Sequence, residues 1–417
     1  MKTVALTALS LALLSGCAQS GPVAQESDVP WPTDGWAHST FAEQGLDSAP
    51  LDSLHAGILA GTYGNIDRMV VIRNGRLVMS ERYARDYAAI SRGRRSFIGC
   101  GEGGVCEGLG AVPGYNYFDP QTHPWHQGRD VHSLQSVTKS VTATALGAAI
   151  HQGALPGVDV PLLSFLDDYD LTRVDPRLER ATLADLLTMR TGIEWHEQDR
   201  PLDGTNRTAQ LEMSADWVQF TLDQPMDADP GTKWAYSSGG SQLMSAVIRK
   251  ATGMTVDAWA ERHLFGPLGI TDYHWKKTPT GLPDTEGGLY LEAEQLAKIG
   301  YLYLKDGVWD DQRMLPEGWA RQATSRIVEE PGYGYQWWRL DRDSTEVWAG
   351  LGFGGQFLLV LPAYDLIGVL NAWNVFGDVA GSILMPFRDA LIAAAGRRDM
   401  TAATAAGRLG AWNRATR

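Results

Sequence analysis

Short β-type apolar runs lie at both ends of this chain, and helical patterns fill its middle. That distribution restricts the fold more than any other feature. Near the start, Arg68-Met-Val-Val-Ile-Arg-Asn-Gly-Arg-Leu-Val-Met-Ser-Glu-Arg-Tyr83 sets two apolar runs about Asn74-Gly75, a dipeptide suited to the positive φ values of a tight hairpin. Near the end, Glu346–Gly350, Gln356–Leu361 and Leu366–Asn371 are strand-like runs divided by turns containing Gly and Pro. Between them, helical patterns are expected over Ser140–Ile150 (stopping near Gly153), Leu183–Met189 (ended by Thr191-Gly192), Gly240–Gly253 and Glu292–Leu304, with a further helix from Ser382 to Ala395. The economical architecture is α/β of the α+β kind: one antiparallel sheet built from both termini, flanked by terminal helices, with a mainly helical region inserted. The sheet region is expected over about 48–135 and 286–395, the helical region over about 136–285. No internal repeat is present.

The 417 residues suffice for a large core. A net charge of −13 argues against nucleic acid as a partner, because phosphate binding needs clustered Lys and Arg. The amino terminus reads as a leader. Lys2 supplies a positive end, Thr3 to Leu14 is apolar but too short to span a bilayer, and Leu14-Ser15-Gly16-Cys17 resembles a bacterial lipobox. Residues 1–17 are therefore expected to be a lipoprotein signal with Cys17 acylated, the alternative being an ordinary secretory signal. Ala18 and Gln19 lack the aspartate that retains lipoproteins in the inner membrane, so an outer-membrane anchor facing the periplasm is expected. Residues 18–45 read as a tether and 396–417 as a tail. Cys100 and Cys106, separated by five residues, would pair as a disulfide in an oxidising compartment or stay as two thiols. Gly99, Gly101 and Gly104 match a dinucleotide-loop spacing, but no strand precedes them and no helix follows. His123 and His126 sit in a Pro-interrupted loop and read as structural. No metal or organic cofactor is implied.

Chemistry concentrates in three places. Ser136-Val137-Thr138-Lys139 places a hydroxyl and an amine one helical turn apart on a common face, at a helix N-terminus that favours developing negative charge. Taken alone, the tetrapeptide also fits an N-cap serine followed by a solvated lysine. About a hundred residues later, Tyr236 precedes Ser237-Ser238-Gly239-Gly240. A phenol beside an ammonium ionises more readily and could shuttle protons, although a half-buried loop aromatic reads the same way. Third, Trp348-Ala-Gly-Leu-Gly-Phe-Gly-Gly-Gln-Phe357 is a glycine-dense strand whose backbone could approach a ligand closely, or an ordinary bulged hairpin. Glu194-Trp195-His196-Glu197 either lines the pocket and meets a substrate ammonium, or is a solvated acidic loop.

Taken together, Ser136-x-x-Lys139, Tyr236-Ser237-Ser238 and the glycine-rich strand resemble the serine β-lactamase-like hydrolases of class C type. That group includes class C β-lactamases, D-amino-acid-releasing peptidases, family VIII esterases and 6-aminohexanoate-dimer hydrolases. Gln135–Ser140, Leu186–Ile193, Leu264–Ile270 and Gly287–Tyr290 carry further likeness, which extends over roughly residues 48–395. Tyr115–Pro120 and His123–His126 most resemble the nylon-oligomer-hydrolase branch. The resemblance implies a β-lactamase/penicillin-binding-protein-like fold, Ser136 as nucleophile and Lys139 with Tyr236 as acid–base groups. It also implies an oxyanion site at the Ser136 and Phe353 N–H groups, with Gly352 and Ser238 bordering the substrate. One departure stands out: where class C enzymes carry Lys-Thr-Gly, this chain has Gly350-Leu351-Gly352-Phe353, and Ser238 replaces the Asn of Tyr-x-Asn. Both changes favour a small-molecule ester or simple amide over a β-lactam. The alternative is a penicillin-binding or β-lactam-interacting lipoprotein, including a receptor without turnover.

Overall fold

The computed structural model describes residues 29–90, 125–201, 204–375 and 383–396. Among these, seven strands form one sheet in the order Ala37–His38, Arg76–Arg82, Ile66–Arg73, Leu366–Ala372, Gln356–Leu361, Trp348–Gly352, Trp338–Arg339. Every neighbouring pair is antiparallel except Ala37–His38 with Arg76–Arg82. The hairpin turns at Asn74 (φ 50°) and Gly75 (φ 68°), where left-handed backbone matches the twist of the flanking strands. The two ends of the chain join at the sheet's centre, with Val70 opposite Val369 and Ile72 opposite Ile367.

Both faces of this sheet are covered, and side-chain alternation sorts the central strands between two cores. Val70, Ile72, Leu358, Val360, Ile367 and Val369 point to one core, shared with the helices Val137–His151 and Ala293–Leu304. Met69, Val71, Phe357, Leu359, Leu366 and Leu370 point to the other, beneath the helices Ala49–Leu59 and Leu384–Ala395. Gly368 permits the second packing. A Cβ there would lie 2.5 Å from Leu391 and 2.7 Å from Phe387.

Helix Val137–His151 is buried from Val137 to Ala149, which explains why its sequence is small residues on every face instead of an apolar stripe. A second interior helix, Ser238–Thr252, ends at Gly253 with φ 70°, a left-handed C-cap. A three-stranded sheet of His132–Ser133, Leu289–Leu291 and Tyr273–Trp275 binds the entry of the first helix to the chain after the helical region. Trp338–Arg339 and Tyr273–Trp275, two and three residues long, carry no readable alternation and were not expected from sequence.

One boundary needs correction. The tether expected over 18–45 does not extend through residues 31–45, which belong to the folded body. Ala37–His38 pairs with the sheet edge, and Trp36 is buried against Tyr301 with ring centroids 5.5 Å apart. Trp31 packs on Trp309 at 5.4 Å, and buried Lys298 donates to the carbonyls of Thr33 and Leu268. Two tryptophans within a Pro- and Gly-rich stretch outweigh its loop-like composition. Cys17, Cys100, Cys106, His123 and the residues after 396 lie outside the described residues.

Candidate active site

Ser136 ends a tight turn and begins the buried helix. The preceding Gln135 has φ 47°, a sparsely populated conformation for a residue with a side chain. Successive bonds from Val137 N to Leu134 O, Thr138 N to Gln135 O and Lys139 N to Ser136 O wind the turn tightly into the helix. The Ser136 side chain makes no capping bond. Its Oγ instead accepts from Lys139 Nζ at 2.8 Å, so the N-cap reading is set aside.

Lys139 is 1% exposed. Its Nζ also donates to the backbone carbonyl of Glu286 at 2.6 Å and approaches Glu286 Oε2 at 3.4 Å. Tyr236 reaches the same place from the turn before helix Ser238–Thr252, hydrogen-bonding with Ser136 and setting its ring centroid 5.2 Å from Lys139 Nζ. Its ring stacks on Trp338 with centroids 5.7 Å apart and an interplanar angle of 26°, beside Trp234 and Tyr333. An aromatic wall thus fixes the phenol's direction.

Protonation differs from the sequence expectation. Burial raises the Tyr236 pKa, and this outweighs the opposing pull of Lys139. For Lys139 burial favours the neutral amine, but Tyr236, Glu286 and Glu197 together overcome it and hold the ammonium above its ordinary range. The Tyr236 phenol is thus pushed upward by its burial, where a lowered value was expected.

The third strand lies across the first turn of the helix. A Cβ on Gly350 would meet Val137 Cγ1 at 3.1 Å and Ser140 Oγ at 3.4 Å, and one on Gly352 would sit 2.3 Å from Leu134 O. That close approach brings the strand end, with Phe353 39% exposed beyond it, alongside the Gln135–Ser136 turn. Ser238 stands differently. It is fully buried, and both its N–H and its hydroxyl donate to Glu197, each at 2.9 Å, which sets it behind the phenol instead of on an open surface.

Two carboxyl groups of this site, Glu212 and Glu286, were missed in sequence. Glu197, from the loop read as lining the pocket or solvated, is half-buried, accepts additionally from Trp195 Nε1 at 3.0 Å, and faces Lys139 electrostatically. Glu286 immediately precedes Gly287-Gly288, and Glu212 hydrogen-bonds to it carboxyl to carboxyl. Gln336 (φ 60°) was missed as well. It accepts from Ser140 Oγ and Ser241 Oγ and donates to Leu187 O, pinning three helices around the site. Isolated Glu and Gln residues carry no spacing signal, so only the short Glu-Gly-Gly and Glu-Trp-His-Glu contexts pointed toward them. Among the described residues, no cluster of three or more His, Cys, Asp or Glu is arranged to hold a metal ion.

Comparison with known proteins places the chain in a family. A family model described as Beta-lactamase matches residues 65–390. The 6-aminohexanoate-dimer hydrolase of Paenarthrobacter ureafaciens is 24% identical over 269 residues, 58% of this chain and 67% of that protein. The lovastatin esterase of Penicillium rubens is 28% identical over 163 residues, 34% of this chain and 39% of that protein. Among solved structures, a penicillin binding protein from Bacillus halodurans superposes with a TM-score of 0.56 at 17% identity, covering 81% of this chain and all of that one. A D-stereospecific amidohydrolase from Streptomyces superposes at 0.54 with 18% identity, covering 83% and 98%.

Proposed function

Because the chain belongs to the beta-lactamase family and is a hydrolase of that fold, we propose that it cleaves carboxylic esters or simple amides through an acyl-enzyme on Ser136. The observation that carries this reading is the 2.8 Å contact of Lys139 Nζ with Ser136 Oγ, with Tyr236 bonded to Ser136 and its ring beside the amine. A nucleophile, a base and an orienting third group within hydrogen-bond reach are the working parts of covalent acyl transfer.

In the forward step Ser136 Oγ bonds to the substrate carbonyl carbon, and its proton passes to the Lys139–Tyr236 pair after that pair has lost one proton. The resulting oxyanion rests against the N–H groups of Ser136 and Phe353, the donors that the strand's approach to the Gln135–Ser136 turn supports. Collapse breaks the bond to the leaving alcohol or amine, which takes the stored proton through Tyr236. Water then attacks the ester, and the same groups return Ser136 to its hydroxyl form.

Substrate class follows from what the third strand carries. Trp348–Gly352 offers no charge and no hydroxyl where a β-lactam carboxylate would be held. The names of the relatives, one an amide-dimer hydrolase and one an esterase, point the same way. The Leu14–Cys17 motif supports a lipid-anchored form facing the periplasm.

The test is intact-mass measurement after mixing with a fluorophosphonate, a penicillin and p-nitrophenyl butyrate. The expected result is a single fluorophosphonate adduct lost in Ser136→Ala, rapid turnover of the ester, and no lasting penicilloyl adduct. Full hydrolysis by Ser136→Ala would refute the assignment. A persistent penicilloyl species without ester turnover would mark a receptor instead.

A further inference from the structure

A chain of buried carboxyl groups runs behind Lys139, away from the side where Ser136 lies. Glu286 meets the amine twice, once through its backbone carbonyl at 2.6 Å and once through Oε2 at 3.4 Å. An ammonium has three hydrogens. With two directed at Glu286, the remaining direction is the one that points to Ser136 Oγ. If Lys139 becomes neutral, the same two acceptors keep its hydrogens and leave the lone pair facing the serine hydroxyl. One residue thereby sets the rotation of the amine in both protonation states.

Glu286 is itself held from behind. Its carboxyl group hydrogen-bonds to that of Glu212, at the end of the helix Arg207–Glu212, and both residues are 5% exposed. Two carboxylates are acceptors only, so a bond between them requires one to carry a proton. Burial, together with the neighbouring Glu286, pushes the Glu212 carboxyl well above the ordinary carboxylate range, which places the proton of the pair on Glu212. Around this pair stand Asp284, whose pKa is also raised by burial, Lys276, lowered by burial to about 7, and on the far side of Lys139 the groups Glu197 and Tyr236.

We propose that Glu286 is the positioning residue of Lys139, aiming its amine at Ser136, and that Glu212 acts as a neutral carboxylic acid whose O–H fixes the Glu286 carboxylate. This rests on the acyl-enzyme reading above. A relay Glu212–Glu286–Lys139–Ser136 gives the lysine a fixed direction. Lys276, with its Nζ 5.8 Å from the Tyr290 ring centroid, adds positive potential to the Glu212 and Glu286 carboxyl groups.

The test compares Glu286→Gln, Glu286→Asp and Glu212→Gln with the wild-type chain, using p-nitrophenyl butyrate turnover and the rate of fluorophosphonate labelling from pH 5 to 11. Gln at 286 keeps the backbone acceptor but loses the charge. It is expected to lower kcat by about 10–100-fold, to leave KM within about threefold, and to move the ascending limb of the pH profile acidward by about one unit or more. Asp at 286 retains charge but withdraws it. It is expected to keep the limb nearer the wild-type position while losing kcat, and it serves if the Gln variant does not fold. Gln at 212 keeps a donor toward Glu286 but exchanges an acid O–H for a weaker amide N–H, so kcat is expected to fall by about 2–5-fold while the limb keeps its wild-type position. A folded Glu286→Gln with unchanged kcat and limb would overturn the positioning role. A displaced limb in Glu212→Gln would overturn the neutral acid. Absence of any Ser136 adduct in the wild-type chain would overturn the acyl-enzyme reading itself, a result distinct from both.

Discussion

Glu197 separates hydrogen bonding from charge in this site, and two substitutions distinguish them. Its Oε2 accepts from Ser238 N at 2.9 Å and from Trp195 Nε1 at 3.0 Å, while Oε1 accepts from Ser238 Oγ at 2.9 Å. Ser238 opens the helix Ser238–Thr252, so its N–H has no acceptor within that helix. In Glu197→Ala, Trp195 can still fall back on Thr208 Oγ1 at 3.4 Å, but Ser238 keeps a buried N–H and O–H without these partners. At about 1–3 kcal/mol for each of the two orphaned groups, the loss is about 2–6 kcal/mol. For 417 residues that lowers Tm by roughly 2–7 °C. Glu197→Gln should behave differently. Its amide oxygen can serve Ser238 N and Trp195 together, its amide N–H can meet a rotated Ser238 hydroxyl, and the cost stays within about 1 kcal/mol. Urea unfolding followed by tryptophan fluorescence measures both. Equal stability of Glu197→Ala and wild type would refute the reasoning, as would equal damage by the two variants.

Other expectations follow from the same contacts. Because Lys139 and Tyr236 are both held protonated above their ordinary values, kcat/KM for a neutral ester should climb into the alkaline range. Since Glu197 raises both groups, Glu197→Gln should displace that limb to lower pH; an unmoved limb would exclude this coupling. Gly352→Ala places a Cβ 2.3 Å from a backbone oxygen, Leu134 O, so the strand must withdraw from the nucleophile turn. A shift near 1 Å is expected to cost on the order of 100-fold in kcat with the fold retained, and near-normal turnover would contradict the packing. Gly147→Ala drives a Cβ to 2.6 Å from Trp319 and should destabilise by about 1–3 kcal/mol in thermal unfolding. Cys17→Ser should abolish labelling by a clickable palmitate analogue and release the chain from membranes; retained labelling would refute lipidation at Cys17.

Local periodicity and turn chemistry made much of the fold legible. The Asn74-Gly75 hairpin and the strand Gln356–Leu361 were readable because alternation and turn residues agree there with the tertiary structure. The helix Ser238–Thr252 was readable to its last residue because Gly253 supplies the left-handed cap. Ser136, Lys139 and Tyr236 were legible because two sit at helical spacing and the third in a composition that recurs in the family. The carboxyl groups behind them were less so. The Glu194–Glu197 loop was read as a pocket wall or a solvated loop, whereas Glu212 and Glu286 come from a helix end and a separate loop that only folding brings together. The Tyr236 ionisation failed for a related reason: sequence supplies the neighbouring charge but not the burial that outweighs it. The amino-terminal segment misled because its loop-like composition hides Trp31 and Trp36, whose partners Trp309 and Tyr301 lie far along the chain.

These buried acids also bear on which substrates the site accepts. Lys139 is the cation at the nucleophile, and it already has Glu286 at 3.4 Å and the field of Glu197. Among the described residues, no positive charge is therefore left over at Ser136 to attract an anionic substrate, and Trp348–Gly352 adds none. A carboxylate brought to this strand would lose hydration without a paired cation, an expensive exchange in a partly dry site. A neutral acyl group loses little water and gains contact with the wall of Trp234, Tyr236 and Trp338. For matched p-nitrophenyl esters, a butyrate should therefore exceed a hemisuccinate in kcat/KM by about 10-fold or more, as expected from leaving one charge uncompensated. The difference should narrow as salt rises if it arises from long-range repulsion, and persist if it arises from desolvation at the strand. Equal rates for the two esters would mean that a cation reaches the acyl pocket after all, and would reopen the case for carboxylate-bearing substrates.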